Sequence, residues 1–178
     1  GPQLINSALG PQNESMRFYF LDNTDTEGID RTIASIDKGL AETLILIISK
    51  SGNTVETRNS MIEVRECYSK VGLDFARHAV AITRENSQLA QLASKENWLA
   101  CFPMWDWVGG RTSILSAVGL LPAALLGENV SSILKGAKIM DKLTKCTKIK
   151  ENPAAILAWM LHHAGEDKGK KSMVILPY

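Results

Sequence analysis

Two rhythms of apolar residues alternate along this chain. Short continuous runs predict strands, and stretches with apolar positions every three or four residues predict helices. Gln3 to Leu9 opens the chain on a helix-like pattern. Met16 to Asp22, aromatic-rich and closed by Asn23, Thr24 and Asp25, predicts a strand. From Asp25 the positions Ile29, Ile33, Ala34 and Ile36 predict a helix that Gly39 ends. Thr43 to Ser49, Thr-Leu-Ile-Leu-Ile-Ile-Ser, has the composition of a strand buried on both faces of a parallel sheet, and is expected at its centre. A helix from Val55 to about Gly72, a strand over Ala79 to Thr83, a helix capped by Ser87 and a strand over Trp98 to Phe102 continue the alternation.

After Pro103 the pattern changes. Thr112 to Leu126, Ser131 to Leu143 and Pro153 to His163 read as successive helices, with Trp159, Met160 and Leu161 expected in the core, and Ser172 to Leu176 reads as a last strand. Strands alternating with helices imply an α/β fold, a three-layer doubly wound parallel sheet, followed here by a helical stretch. Such domains ordinarily begin on a strand, so a first strand is expected to be missing. A boundary between residues 104 and 112 divides the chain into 1–111 and a helical continuation, 112–178.

Composition narrows the function classes. The 178 residues contain 45% hydrophobic and 22% charged positions, which is the balance of a globular domain with a core. A net charge of +1, with both signs spread along the chain, gives no electrostatic case for a nucleic-acid or membrane-surface partner. The apolar stretch from Ile114 to Gly127 is interrupted by Pro122 and is too short to span a bilayer, and no secretory signal pattern opens the chain. Cys67, Cys101 and Cys146 are odd in number and widely spaced, which argues for free thiols in a reducing compartment. His78, His162 and His163 lack partners at zinc-ligand spacing, so no metal is expected.

One segment carries candidate chemistry by its position. Ser49-Lys50-Ser51-Gly52-Asn53-Thr54-Val55-Glu56-Thr57 leaves the carboxyl end of a predicted buried strand and opens a helix. The first amides of a helix have no intrahelical acceptor, and the helix dipole places partial positive charge there, so an anion such as phosphate is stabilised. Ser49, Ser51 and Thr54 add hydroxyl donors, Gly52 permits close backbone approach, and Lys50 offers charge. On composition alone a plain turn and helix cap explains these residues equally well. The segment is neither a Walker A loop nor a dinucleotide-binding Gly-x-Gly-x-x-Gly loop, so no nucleotide cofactor is implied.

Ser49 to Thr57 resembles the phosphate loop of sugar isomerase domains. Asp106-Trp107-Val108-Gly109-Gly110-Arg111-Thr112-Ser113, followed by Ile114-Leu115-Ser116-Ala117-Val118-Gly119, resembles a diagnostic motif of the glucose-6-phosphate isomerase family. The first motif alone would also fit amidotransferase isomerase domains and non-catalytic regulators that sense a sugar phosphate; the second favours the isomerase. Thr112 stands where many members carry an aromatic residue. The resemblance implies a sugar-phosphate-binding domain over residues 1–111 and a hexose 6-phosphate substrate. It implies no organic cofactor, a homodimeric parent, and a cytoplasmic or, in a plant or alga, plastid location. It makes Arg111 the catalytic cation beside a developing oxyanion, Gly109 and Gly110 the loop that lets backbone approach substrate, and Ser49, Lys50, Ser51 and Thr54 the phosphate ligands. Glu56 is expected to be structural, and the family's catalytic glutamate, ring-opening histidine and late lysine to lie beyond Tyr178, leaving these residues inactive by themselves. Without the family, Arg111 would read as a solvated arginine after a turn.

Overall fold

The computed structural model describes residues 1–10, 16–22 and 24–165. By compactness it forms two units, residues 1–130 and 131–178, a partition made on a different criterion from the sequence boundary after Arg111. In the first unit, α1 (Pro2–Leu9) and α2 (Thr26–Ile36) precede β1 (Ile45–Ile48); α3 (Val55–Lys70), β2 (Ala79–Thr83), α4 (Gln88–Lys95), β3 (Ala100–Pro103) and α5 (Ala117–Leu125) follow. The strands form a parallel sheet in the order β1-β2-β3, with Ile47 opposite Ala81 and Ala81 opposite Cys101.

The strand period of two sorts side chains between the faces. Ile47, Ala79 and Ala81 point to one side, where Val64 and Tyr68 of α3 and Leu89 and Ala93 of α4 complete a core. Ile48, Ile82 and Phe102 point to the other, against Val118 and Leu121 of α5, with Met104 and Val108. Helices thus cover both faces, which is the expected three-layer doubly wound arrangement. Burial of a side chain such as Ile82, fully inaccessible in β2, contributes roughly 1.5–3 kcal/mol.

Around the first core, Tyr68 and the Arg65–Glu96 pair are drawn in with partners, whereas the buried Ser60 Oγ and Arg65 Nε have none among the described residues. The Tyr68 hydroxyl sits 2.8 Å from the Leu40 carbonyl oxygen and 3.1 Å from that of Thr43, and burial pushes its pKa up to about 12. Arg65 donates to both carboxylate oxygens of Glu96 and lies 5.0 Å over the Phe75 ring, while Trp98 Nε1 donates to Glu96 at 2.9 Å. Burial raises the Glu96 pKa, but the Trp98 and Arg65 hydrogen bonds and the Arg65 charge outweigh it, and the net shift is downward.

Four expectations change. Residues 16–22 form no ladder and are not a strand, although Leu21 packs on the first core. Their composition suits a strand, but ladder assignment needs a neighbour at bonding distance. The Thr43–Ser49 run yields β1, which is an edge of the described sheet and only half-buried; β2, buried at all five positions, is central. The helix expected from Thr112 is a 3-10 turn over Gly110–Leu115, and α5 starts only after Ser116, whose extended backbone and side-chain cap to the Val118 amide begin it afresh. A Cβ on Gly119 would lie 2.2 Å from the Ile114 carbonyl oxygen, so only glycine permits this tight join.

The second unit holds α6 (Val130–Thr144) apart from its first residue, a 3-10 turn and α7 (Pro153–Ala164). The fourth change falls here: Trp159, Met160 and Leu161 are exposed, not core, because α7 is apolar on most of its circumference and no described residue of this unit covers it. The strand expected over Ser172 to Leu176 lies outside the described residues.

Candidate functional site

The β1 strand delivers Ser49 and Lys50 to the carboxyl end of the sheet, where open α/β folds take ligands. Gly52 turns the chain with φ +77°, and a Cβ there would lie 2.7 Å from the Leu89 amide nitrogen at the start of α4. Glycine is needed at this position for both conformation and space. Ser49 Oγ accepts from the Gly52 amide at 3.1 Å and pairs with Thr54 Oγ1 at 2.9 Å; Ser51 Oγ accepts from the Asn53 amide at 3.1 Å.

Thr54 is the N-cap of α3, yet its hydroxyl turns back to Ser49 and caps no amide. In contrast Ser87, Ser116 and Asn152 each cap their helix with their own side chain. The first intrahelical bond of α3 runs from the Arg58 amide to the Thr54 carbonyl, so the amides of Val55, Glu56 and Thr57 keep donors without partners among the described residues. Glu56 stands exposed in this first turn, where a carboxylate complements the dipole.

Beneath the loop lies a hydroxyl relay that sequence reasoning missed. Thr83 Oγ1, wholly buried at the end of β2, donates to the Ser49 carbonyl at 2.6 Å and pairs at 2.7 Å with Ser87 Oγ, which also accepts from the Ala90 amide. The available signal was a single polar residue ending the apolar run Ala79-Val80-Ala81-Ile82. Backbone bonds from Arg84 to the Lys50 carbonyl and from Met104 to the Thr83 carbonyl lace the three strand ends together.

Lys50, expected among the phosphate ligands, makes hydrogen bonds of its own within the chain. Its Nζ donates at 2.8 Å to both the Asp106 and Val108 carbonyls, binding the loop after β1 to the loop that precedes Arg111. Only one N–H donor remains for any anion. The second loop carries Trp105 and Trp107 stacked on each other at 5.3 Å, and Trp107 is 79% exposed, so this pair packs mainly on itself. Arg84 reaches Asp106 at 3.5 Å on its outer side.

Gly110 lines the same cavity mouth as Ser49, Lys50 and Thr54, whereas Ser51, Gly109 and Arg111 do not. A Cβ on Gly110 would meet nothing within 4 Å, so packing gives no reason for glycine there. Gly109 caps the 3-10 turn, and a Cβ on it would lie 2.9 Å from Thr112 Oγ1. The Arg111 side chain is exposed, with no ion pair or hydrogen bond to a described residue. Among the described residues no cluster of three metal-ligating side chains occurs, no helix is long and apolar enough to cross a membrane, and Cys67, Cys101 and Cys146 are free.

A parallel α/β domain whose uncapped helix start and glycine loop open at the carboxyl ends of its strands falls in the class of α/β proteins that receive small ligands there. Within that class the chain belongs to the phosphoglucose isomerase family, whose model matches residues 1–178. It is 56% identical over its full length to a glucose-6-phosphate isomerase of Cyanothece sp., and 55% identical to the chloroplastic glucose-6-phosphate isomerase 1 of Arabidopsis thaliana. It spans 34% and 29% of those relatives, about a third of their length. A crystal structure of a glucose-6-phosphate isomerase from Chlamydia trachomatis superposes with a TM-score of 0.80 at 29% identity, over 92% of this chain and 31% of that one. A hypothetical protein of Thermus thermophilus superposes with a TM-score of 0.78 at 32% identity, over 93% and 40%.

Proposed function

We propose that these residues form the phosphate-holding part of a glucose-6-phosphate isomerase, which interconverts glucose 6-phosphate and fructose 6-phosphate through an enediolate. The observation that carries the reading is the start of α3: three donor amides without partners, beside Ser49 and Thr54, at a cavity mouth shared with Gly110. A phosphate seated there accepts the amides of residues 55–57 and the Thr54 and Ser51 hydroxyls, with the helix dipole adding attraction. Lys50 serves chiefly to fix the Gly109-Gly110-Arg111 loop relative to that phosphate.

Isomerisation moves a proton between adjacent carbons, so it requires a base near both and fixed positive charge where the oxyanion develops. Arg111 supplies the charge: its guanidinium stays protonated across the working range of a carboxylate base and has no competing partner among the described residues. Gly110 leaves the space through which the sugar reaches it. The base and the ring-opening groups come from the remaining two-thirds of the polypeptide, as the one-third span suggests. The enzyme works as a homodimer in the cytoplasm, or in a plastid.

Amide shifts during an inorganic phosphate titration test the site. The largest changes are expected over residues 51–57, and Ser51→Ala with Thr54→Ala should remove them. Changes centred elsewhere, or binding that survives both substitutions, would make the loop a structural turn. A coupled assay on the 178-residue chain should detect no turnover of fructose 6-phosphate, since loss of a general base alone costs on the order of 10²–10⁴ in rate; turnover typical of an intact isomerase would overturn the division of labour.

A further inference from the structure

The β2 strand ends on a residue that its surroundings do not call for. All five positions of Ala79-Val80-Ala81-Ile82-Thr83 are buried, and the last alone among them has a polar side chain. By the strand period Thr83 points to the side of Ala79 and Ala81, toward α3 and α4. Valine has the same shape and suits a buried strand as well, and a hydroxyl sealed from water costs stability unless it is bonded. The Thr83 hydroxyl is bonded on both sides, yet it lines no part of the cavity that a phosphate would enter.

These bonds have one direction. A hydroxyl has a single hydrogen, and Thr83 donates its own to the Ser49 carbonyl at 2.6 Å, with the Lys50 carbonyl farther off at 3.5 Å. The 2.7 Å bond between Thr83 and Ser87 therefore runs from Ser87, which in turn accepts from the Ala90 amide at 3.0 Å. The series starts in the first turn of α4 and ends on Ser49, each donor polarised by the one behind it. The Ser49 amide is bound as well, to the Ile82 carbonyl at 3.1 Å, and the Lys50 carbonyl accepts from the Arg84 amide at 3.2 Å. Ser49 is thus held on both sides of its Cα, and its Oγ falls where it accepts from Gly52 and meets Thr54 Oγ1.

That last contact decides the state of α3. Threonine at an N-cap ordinarily turns its oxygen onto the second or third amide of its own helix, which here are those of Glu56 and Thr57. A Thr54 side chain released from Ser49 would compete with an anion for those amides. We propose that Thr83 is a positioning residue of the anion site: acting through Ser49, it keeps Thr54 from capping its own helix and so leaves the α3 amides open. This role rests on the phosphate reading and adds to it a residue that no anion touches.

Thr83→Val in the 178-residue chain deletes the hydroxyl and keeps the shape. Without phosphate, amide exchange of Glu56 and Thr57 should slow about threefold, because Thr54 turns to cap them. Loss of a residue that only stabilised the fold would speed exchange there instead. Affinity for inorganic phosphate should fall about fivefold, on the scale of one hydrogen bond. Thr83→Ser, which keeps the donor, should hold both quantities within about twofold of the unsubstituted chain. In a Thr54→Val background Thr83→Val should change the affinity by less than about twofold, since the two residues act in one line. Should the valine variant not fold, Thr83→Cys, a weak donor of similar size, takes its place, and phosphate affinity equal to that of Thr83→Ser would count against the role.

Faster exchange at Glu56 and Thr57, unchanged phosphate affinity, a serine variant as weak as the valine one, or a full effect of Thr83→Val without the Thr54 hydroxyl would each overturn the proposal and leave the phosphate reading standing. An unsubstituted chain whose residues 51–57 do not respond to phosphate would overturn that reading, and the role of Thr83 with it.

Discussion

The loop after β1 and the loop before α5 meet through one lysine but are held by different means. Residues 49–54 rest on buried hydroxyls, with Thr83 and Ser87 below and Gly52 wedged against the start of α4. Residues 105–111 are held by Lys50, an exposed Arg84–Asp106 pair and a stacked tryptophan pair turned to solvent. Binding an anion, the role we propose for residues 49–54, needs only converging local donors, which are in place once the strand and helix are packed. On the proposed reading Arg111 is a cation placed at a reacting carbon, which needs walls from elsewhere; among the described residues it has no ion pair or hydrogen bond.

The largest effect should come from Arg111→Lys in a full-length isomerase carrying this region. Turnover is expected to fall on the order of 10²-fold, in the range of losing one oxyanion donor, while the Michaelis constant moves only severalfold. Lysine keeps the charge and loses the planar donor array. Unchanged turnover with a raised Michaelis constant would place Arg111 in substrate binding alone and break the comparison at its reactive side.

A glycine pair sharpens it next. Gly52→Ala should destabilise the chain by more than about 1 kcal/mol, since the new side chain meets backbone at a positive φ, and it should abolish phosphate-induced shifts. Gly110→Ala has open space and should leave stability within about 0.5 kcal/mol, yet lower activity in the full-length enzyme. Thermal melts and assays on both variants check this, and equal melting losses would show that the two glycines serve the same purpose.

The smallest effect concerns the tie itself. Lys50→Met removes two hydrogen bonds and should speed amide exchange over residues 105–111 roughly tenfold while residues 49–54 keep their protection. If exchange over 105–111 is unchanged and phosphate affinity drops instead, Lys50 is a phosphate ligand first.

Much was determined by the sequence alone. The alternation of apolar runs with three- and four-residue periods carried β1 to β3 and α3, α4, α6 and α7 close to their observed limits, because these patterns report which residues must leave water. The strand-to-helix turn of the candidate anion loop was legible too, since its residues are adjacent in the chain and bounded by one strand and one helix. Packing decided the rest. Which strand is central, whether Met16–Asp22 joins a ladder, and whether Trp159 is buried depend on neighbours that no local pattern contains. Nor could a local pattern show that Thr54 turns its hydroxyl from its own helix toward Ser49, or that Lys50 reaches residues more than fifty positions away. Hydrogen-bond partners distant in sequence are chosen by the geometry in which the elements pack, and that geometry exists only in the folded chain.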